Sequence, residues 1–225
     1  MLNWVGHRVP EWVSRPQKGR SLPKTLTHRE IGRLKEAAAT SENPFANVVI
    51  TIFLDTGIRV SELCALDRSS IDFEDLSATV REGKGSKDRL VLFTESTVSA
   101  IEAYGQIRKI IVARHVPSDA HRDALILNRR GRRLTPRAVQ KLMDTLADDA
   151  DIPRSKLSPH TLRHNFATGL LERGMDLVSI QKLLGHANIS TTRVYLEISD
   201  QSLREIYHRA QAASRAQDSD EESED

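Results

Sequence analysis

The chain has 225 residues, of which 39% are hydrophobic and 28% are charged, a composition that fits one globular domain of ordinary size or two small ones. It has no apolar run near the roughly 18 residues of a membrane span, no N-terminal secretory signal and one cysteine, Cys64, so we expect a cytoplasmic protein with no internal disulfide and no membrane partner. The last ten residues hold six acids and no lysine or arginine, which leaves 33 basic and 25 acidic residues, a net charge of +8, on the rest of the chain; this excess favours a polyanionic ligand, although an ordinary surface excess of cations would look the same.

The N-terminal part of the sequence predicts an arm followed by helices. Residues 1–24 are polar, contain three prolines and are expected to form a linker or arm. Thr27 and Glu30 have the spacing of a capping box and predict a helix over about 28–39. An apolar helix follows in "NPFANVVITIFLDTG", ended by Gly57, and a short helix in "RVSELCAL".

The middle of the chain predicts a small sheet and two capped helices. "SATVREGKGSKDRLVLF" has two β-prone runs around a Gly/Lys/Asp loop and predicts a β-hairpin, and a helix at about 95–112 follows. "ALILNRRGRRL" is expected to be a strand or hairpin with four arginines at its tip. Thr135 with Pro136, and Ser158 with Pro159, each have the Ncap–N1 pattern that starts a helix.

The C-terminal part adds short helices and an acidic tail. "LVSIQKLLG" and "TTRVYLEI" predict two short helices, and a last helix covers about 200–215. Residues 216–225 are expected to be disordered. The predicted fold class is mainly α with a small antiparallel β-sheet (α+β), in one domain over 25–215.

The helix that follows Ser158 carries polar residues suited to an anion. His160 and Arg163 are i,i+3 neighbours near its start, where outward N–H groups and the helix dipole favour negative charge. The helical period is taken to place two sets of side chains on roughly opposite sides: Leu162, Phe166 and Leu170 against His160, Arg163 and His164. Exposed or capping histidines without a functional role are the alternative.

A zinc site is a second alternative for the histidines. His160, His164 and His186 form a plausible ligand set. However, "HTLRH" has Thr161 where a zinc protease helix carries glutamate, and the cationic Arg163 would disfavour a neighbouring metal ion. We therefore expect no metal.

Two further segments carry cations in distinctive settings. In "TGIRVSEL", Glu62 is three residues after Arg59 and is positioned to hold its guanidinium; a surface ion pair is the alternative. In the hairpin tip "GKGSKDR", Lys84 lies between two glycines, although a solvated turn would have the same composition.

Taken in order, these segments resemble a known family. Arg59, the hairpin lysine, "SPHTLRH", "LLGH" and the tyrosine nine residues after that histidine closely resemble the catalytic domain of the tyrosine recombinases, the phage-integrase and Xer family. The similarity runs from "LPKTLT" to about residue 210. It implies DNA strand cleavage and rejoining through a covalent 3′-phosphotyrosyl intermediate, without metal, ATP or another cofactor.

The resemblance implies a role for each of six residues. Arg59 and Arg163 stabilise charge on the phosphate, Lys84 protonates the leaving oxygen, His160 accepts the tyrosine proton, His186 donates to the phosphate and Tyr195 is the nucleophile. Lys87 is a rival to Lys84, and the role of Arg193 stays open. Tyr104 and Tyr207 lie in other predicted helices without a matching motif and are interpreted as structural.

DNA contacts are also expected outside the catalytic residues. The cations assigned to them are Lys87, Arg89, Arg129, Arg130, Arg132, Arg133, Arg137 and Lys141. Phosphate contact is their simplest use, and the helix that starts at Pro136 is suited to a major groove. A solvated loop is the alternative for the arginine cluster.

The resemblance also bears on assembly and on the limits of the function. It implies a homo-oligomer, a tetramer on double-stranded DNA, in which the last helix docks on a neighbour through Leu203, Ile206 and Tyr207; packing within the same chain is the alternative. Family members usually carry an N-terminal DNA-clamping domain, whereas about 24 residues precede the catalytic region in this sequence; an excised catalytic domain and a naturally minimal form are the two interpretations. A non-catalytic DNA-binding relative and a type IB topoisomerase are the competing functions.

Overall fold

The computed structural model describes residues 25–80, 89–185, 204–209 and 211. Lys84, Lys87, His186, Arg193 and Tyr195 lie outside these residues, as do the predicted arm over 1–24 and the acidic tail over 216–225. Within the described part, the chain is mainly helical with one small antiparallel sheet, which confirms the predicted fold class.

Apart from the short α5, which was not predicted, the helices begin and end close to the predicted positions. They are α1 (His28–Thr40), α2 (Ala46–Thr56), α3 (Val60–Ala65), α4 (Glu95–Arg114), α5 (Asp119–Arg122), α6 (Pro136–Asp149), α7 (Pro159–Glu172) and α8 (Leu177–Leu184), followed by a helical segment over 204–209. None of the described helices combines the length and apolar composition of a membrane span.

The sheet contains the predicted hairpin and one additional short strand. Strands β2 (Ser77–Val80) and β3 (Arg89–Leu92) pair antiparallel, and β1 (Ile71–Asp72) pairs with the other edge of β2. The register sets Val80 opposite Arg89, so the hairpin tip starts directly after this pair. Arg89 and Val91 share one face of β3, because side chains alternate along a strand.

Helix starts follow the capping residues seen in the sequence. Thr27 accepts from the N–H of Glu30 (3.3 Å), and the Glu30 carboxylate accepts from the N–H of Thr27 (2.7 Å). Thr135 and Ser158 cap α6 and α7 by accepting from the N–H of Ala138 and of Thr161, each with proline at the next position. These side chains satisfy backbone N–H groups that lack helical partners, and therefore fix where the helices begin.

The entry into α1 is bonded to α7. The backbone N–H of Leu26 donates to Asn165 Oδ1 (3.0 Å), and Asn165 Nδ2 donates to the carbonyl of Leu26 (2.8 Å). Leu26 itself is buried. This reciprocal pair joins the first described residues to the helix that carries His160 and Arg163.

Two apolar clusters hold the helices together. The larger surrounds α2, which packs against α1, α4 and α7. The second fills the space between α7, α8, β3 and the segment 204–209, and its buried members are Leu92, Phe166, Leu170, Met175, Ile180, Leu183, Leu184 and Tyr207. The second cluster therefore supports the two helices nearest the candidate site.

The segment 124–134 turns back on itself, as the hairpin alternative expected, but it contains no regular strand. Instead of regular strands it has two isolated antiparallel bridges, one from Ala124 to Asp67 and one between Leu127 and Arg133 that closes a short hairpin. Asn128 Oδ1 accepts from the N–H groups of Arg130 (2.9 Å) and Arg132 (3.1 Å), and Gly131 adopts φ +70°. These local bonds close a tight turn and replace a longer ladder.

Candidate active site

Arg59 lies where α2 ends and α3 begins. Gly57 ends α2 in the left-handed conformation (φ +57°), and Arg59 is the residue before α3. The N–H of Arg59 donates to Glu62 Oε2 (2.7 Å), and its Nη1 donates to Glu62 Oε1 (2.6 Å). The Glu62 side chain is 7% exposed against 37% for Arg59, so this is a partly buried pair and the surface ion pair is excluded.

Arg89 lies in the interior, contrary to the expectation that it contacts DNA. It is 9% exposed, and each of its guanidinium nitrogens donates a hydrogen bond. Nε and Nη2 donate to Glu62 Oε1 (3.1 Å) and Oε2 (2.6 Å), and Nη1 donates to the carbonyl of Leu183 (2.7 Å). These internal bonds engage the guanidinium, so we leave Arg89 out of the proposed DNA surface.

The Glu62 carboxylate is held in its charged form. Burial alone would raise the pKa of Glu62. The hydrogen bonds and charge of Arg89, together with the bonds from Arg59, outweigh this effect and lower the pKa to about 2. Glu62 is therefore an anion shared by two arginines at any pH near neutrality.

Arg163 is buried beside the C-terminal end of α2. The prediction that it lies on the polar face of α7 is therefore wrong. Arg163 precedes Phe166 by three residues and Leu170 by seven, so the helical period puts all three on one face. The side chain is 9% exposed, and Nη1 donates to the carbonyl of Gly57 (2.6 Å). His160 is exposed at the start of α7 and His164 is half-buried.

The C-terminal end of α8 brings the three arginines together. Gly185 ends this helix with φ +66°, and carbonyls at a helix end lack helical partners and carry partial negative charge. Three consecutive carbonyls each accept from a different arginine: Leu183 from Arg89 (2.7 Å), Leu184 from Arg163 (2.5 Å) and Gly185 from Arg59 (2.7 Å). The next residue in the sequence is His186.

Sequence reasoning missed Arg89 as part of this cluster. The strand pattern did indicate that Arg89 is buried, because Arg89 shares a face of β3 with the buried residue Val91. The pattern gives no indication of the partners, since Glu62 and Leu183 lie 27 and 94 residues away in the chain.

The expected DNA-binding cations fall into two groups. Arg129 Nη2 donates to the carbonyl of Glu42 (2.6 Å), and Arg133 binds the Ala65 carbonyl (2.9 Å) and Asp67 (2.5 Å), so both have internal partners. The remaining described members are exposed on the turn or on the first turns of α6: Arg130, Arg132, Arg137 and Lys141.

The described tyrosines are structural, as predicted. Tyr104 donates to the carbonyl of Leu127 (2.8 Å) and accepts from its N–H (2.9 Å), and burial raises the pKa of its phenol. Tyr207 is fully buried, donates to the carbonyl of Asp55 (2.7 Å), and burial likewise raises its pKa. Neither hydroxyl is placed to react.

The segment 204–209 packs on its own chain. This arrangement matches the alternative in which the last helix packs within the same chain and does not dock on a neighbour. Tyr207 fills the second apolar cluster, and Arg204 binds the carbonyl of Asp75 (2.7 Å).

The described residues offer no metal site. They contain no group of three His, Cys, Asp or Glu side chains placed to hold a metal ion. The zinc alternative includes His186, which lies outside them.

Comparison with solved structures identifies the class of fold. The structure superposes on the crystal structure of XerA recombinase with a TM-score of 0.66 and 35% identity, over 90% of this chain and 69% of that one. It also matches XerH site-specific recombinase bound to its difH substrate, with a TM-score of 0.62 and 26% identity over 86% and 53% of the chains. The fold is that of a tyrosine recombinase catalytic domain.

Sequence comparison gives the family. The model of the phage integrase family matches residues 24–202. Tyrosine recombinase XerA of Thermococcus onnurineus is 36% identical over 197 residues, and tyrosine recombinase XerC of Myxococcus xanthus is 37% identical over 200. The chain belongs to the phage integrase family. It spans slightly less than two thirds of these two relatives, 65% and 66% of their lengths, and they cover 87% and 88% of it.

Proposed function

We propose that the chain is a site-specific DNA recombinase that cuts and rejoins strands through a phosphotyrosyl intermediate. One observation carries the proposal: Arg59 and Arg163, which are far apart in the sequence, bind consecutive carbonyls at the end of α8. Two guanidinium groups at one point form a natural receptor for a phosphodiester, because each can bind two phosphate oxygens and neither loses its charge.

The proposed reaction is a transesterification at phosphorus. The hydroxyl oxygen of Tyr195 forms a bond to the phosphorus while the bond from phosphorus to the deoxyribose 5′ oxygen breaks. His160 accepts the tyrosine proton and Lys84 gives a proton to the leaving 5′ oxygen, so the products are a 3′-phosphotyrosine and a free 5′ hydroxyl. Attack by another strand's 5′ hydroxyl reverses each step, and the bond energy is conserved.

The arginines supply the stabilisation that this reaction needs. Negative charge accumulates on the non-bridging phosphate oxygens in the transition state, where Arg59, Arg163 and a hydrogen bond from His186 would oppose it. Arginines held in place by Glu62 and the α8 carbonyls require little reorganisation when the charge develops. Preorganisation of this kind is the main contribution that the described residues make.

Double-stranded DNA is the proposed partner. The XerH neighbour was solved with its difH substrate, and exposed cations cluster here on the 128–132 turn and the start of α6. Strand exchange requires two duplexes, so we propose a tetramer on DNA. Docking of the last helix on a neighbour would require Tyr207 to leave its present site.

A covalent trapping experiment tests the function. Incubation with nicked duplexes of randomised sequence should yield a protein–DNA adduct that resists denaturation, with or without chelator. Tyr195→Phe should abolish the adduct, whereas Tyr104→Phe should retain it. Absence of any adduct would favour a non-catalytic DNA-binding relative, and an adduct with Tyr195→Phe would exclude the proposed nucleophile. Rejoining to the same strand only would favour a topoisomerase.

A further inference from the structure

We propose that Arg89 is a positioning residue for strand cleavage, an inference that rests on the proposed function. Arg89 does not touch the phosphate in this scheme. It fixes the carboxylate that holds Arg59, and it binds the helix end that accepts from both Arg59 and Arg163. The catalytic arginines and Arg89 therefore form one unit.

The geometry of the guanidinium explains how Arg89 does this. Its donors lie in one rigid plane, two of them directed at the Glu62 carboxylate and one at the Leu183 carbonyl. Because the plane is rigid, this one side chain joins α3 to the end of α8 in a fixed geometry, beside the second link that Arg59 makes between Glu62 and Gly185. A lysine has a single ammonium group and cannot reproduce both contacts.

The charge balance gives Arg89 a second effect on Arg59. Each oxygen of Glu62 accepts from both residues: Oε1 from Arg59 Nη1 (2.6 Å) and Arg89 Nε (3.1 Å), and Oε2 from the Arg59 N–H (2.7 Å) and Arg89 Nη2 (2.6 Å). Sharing the carboxylate between two cations leaves more of the positive charge of Arg59 for a phosphate. Without Arg89, Glu62 would neutralise Arg59 alone.

The position of Arg89 in the sheet extends the unit to the hairpin. Arg89 is the first residue of β3, and its strand partner is Val80, the last residue of β2. Val80 and Arg89, the residues on either side of 81–88, are therefore held opposite each other, and the proposed acid Lys84 precedes Arg89 by five residues.

Single-turnover cleavage separates positioning from DNA binding and from stability. The variant is Arg89→Lys, and the matched control is Arg108→Lys. Arg108 is likewise 9% exposed and donates to two backbone carbonyls, those of Ala124 (3.1 Å) and Arg122 (2.6 Å), outside the cluster. Adduct formation on a nicked duplex is followed with increasing protein, which gives a maximal rate and a half-saturating concentration, and Tm is measured for each protein.

We expect Arg89→Lys to lower the maximal rate at least about tenfold while the half-saturating concentration changes less than about threefold. Arg108→Lys should keep the wild-type rate even at an equal loss of Tm, because partial unfolding lowers the yield and not the rate at saturation. Hydrogen exchange at 183–185 should also accelerate in Arg89→Lys alone.

A maximal rate within about threefold of wild type, or an equal fall in Arg108→Lys, would overturn the inference. If Arg89→Lys does not fold, the double variant Glu62→Gln/Arg89→Gln removes the buried charges together, and the same rate comparison applies. Lack of an adduct with the wild-type protein would instead overturn the proposed function, and this inference with it.

Discussion

Gly185 lies against Arg89 so closely that a Cβ atom on Gly185 would be 2.5 Å from Cδ of the arginine. The glycine also has φ +66°, a conformation that other residues adopt at a cost. Glycine is therefore required here for two separate reasons: α8 ends in the left-handed conformation, and the Arg89 side chain lies where a Cβ atom of residue 185 would have to be.

Gly185→Ala should be more destabilising than a similar glycine substitution elsewhere. Gly174 also has a positive φ (+81°), but a Cβ there would meet nothing within 4 Å. Gly174→Ala should cost about 1 kcal/mol for the backbone conformation, and Gly185→Ala about 2–3 kcal/mol because Arg89 must also move. Urea unfolding of both variants gives the difference, and equal losses would show that the Arg89 contact is unimportant.

Arg163→Lys should abolish most cleavage while DNA binding persists. Lysine cannot reach the carbonyls of Gly57 and Leu184 together and cannot bind two phosphate oxygens in one plane. We expect a loss of about 10²–10³ in the cleavage rate. Electrophoretic mobility shifts check binding in parallel, and a rate near wild type would remove Arg163 from the proposed catalytic set.

Replacement of Arg130 and Arg132 with alanine should weaken DNA binding and reduce its dependence on salt. Each lost phosphate contact lowers the slope of log affinity against log salt by about 0.9, so the double variant should lose nearly 2. Lys109→Ala/Arg122→Ala is a charge-matched control, since both residues are exposed but lie on α4 and α5. The same slope in the wild-type protein and the Arg130/Arg132 variant would mean that the turn does not contact phosphates.

Stability should fall in acid partly through Glu30. The hydrogen bond from Lys156, followed by that from the Thr27 N–H, lowers the pKa of Glu30 from 4.5 to about 2. The unfolded chain therefore binds this proton first, and the stabilisation is complete above about pH 5 and lost as the pH falls toward 2.

Glu30→Gln should therefore lower the free energy of unfolding at pH 7 by about 1–2 kcal/mol, since solvent screens part of the interaction with Lys156. The difference from wild type should vanish near pH 2. Glu36→Gln, at an exposed position of the same helix, provides the comparison. A Glu30→Gln deficit that is constant from pH 7 to pH 3 would contradict the assignment.

Tyr104→Phe should affect stability and not cleavage. The change leaves the buried N–H and carbonyl of Leu127 without the hydroxyl that now bonds to both. Loss of such partners costs about 1–3 kcal/mol. Thermal unfolding measures the loss, and adduct formation below the transition should match wild type.

Local signals in the sequence were sufficient for most of the fold. Thr27 with Glu30, Thr135 with Pro136 and Ser158 with Pro159 define helix starts through bonds within three residues, so no tertiary information is needed. Strand β1 was missed because two residues carry no periodic pattern. The β-prone run 125–127 suggested a strand or hairpin, and only the short hairpin formed, because this run is buried by tertiary contacts and not paired in a regular strand.

The candidate site was only partly predictable. Arg59 and Arg163 were identified from motifs, but neither their common partner, the end of α8, nor the burial of Arg163 was foreseen. A buried arginine needs acceptors, and those of Arg89 and Arg163 come from segments distant in sequence. The periodicity of a sequence describes one helix or strand at a time. It therefore cannot predict a site whose residues come from four elements, α3, β3, α7 and α8.

The bond pair between Leu26 and Asn165 has a mechanical consequence. Asn165 is two residues after Arg163 on α7, and its side chain bonds both the N–H and the carbonyl of Leu26. Tension applied to the chain before Leu26 would be borne by α7, not by a surface loop. The first described residues are thus attached to α7 within one helical turn of the buried Arg163.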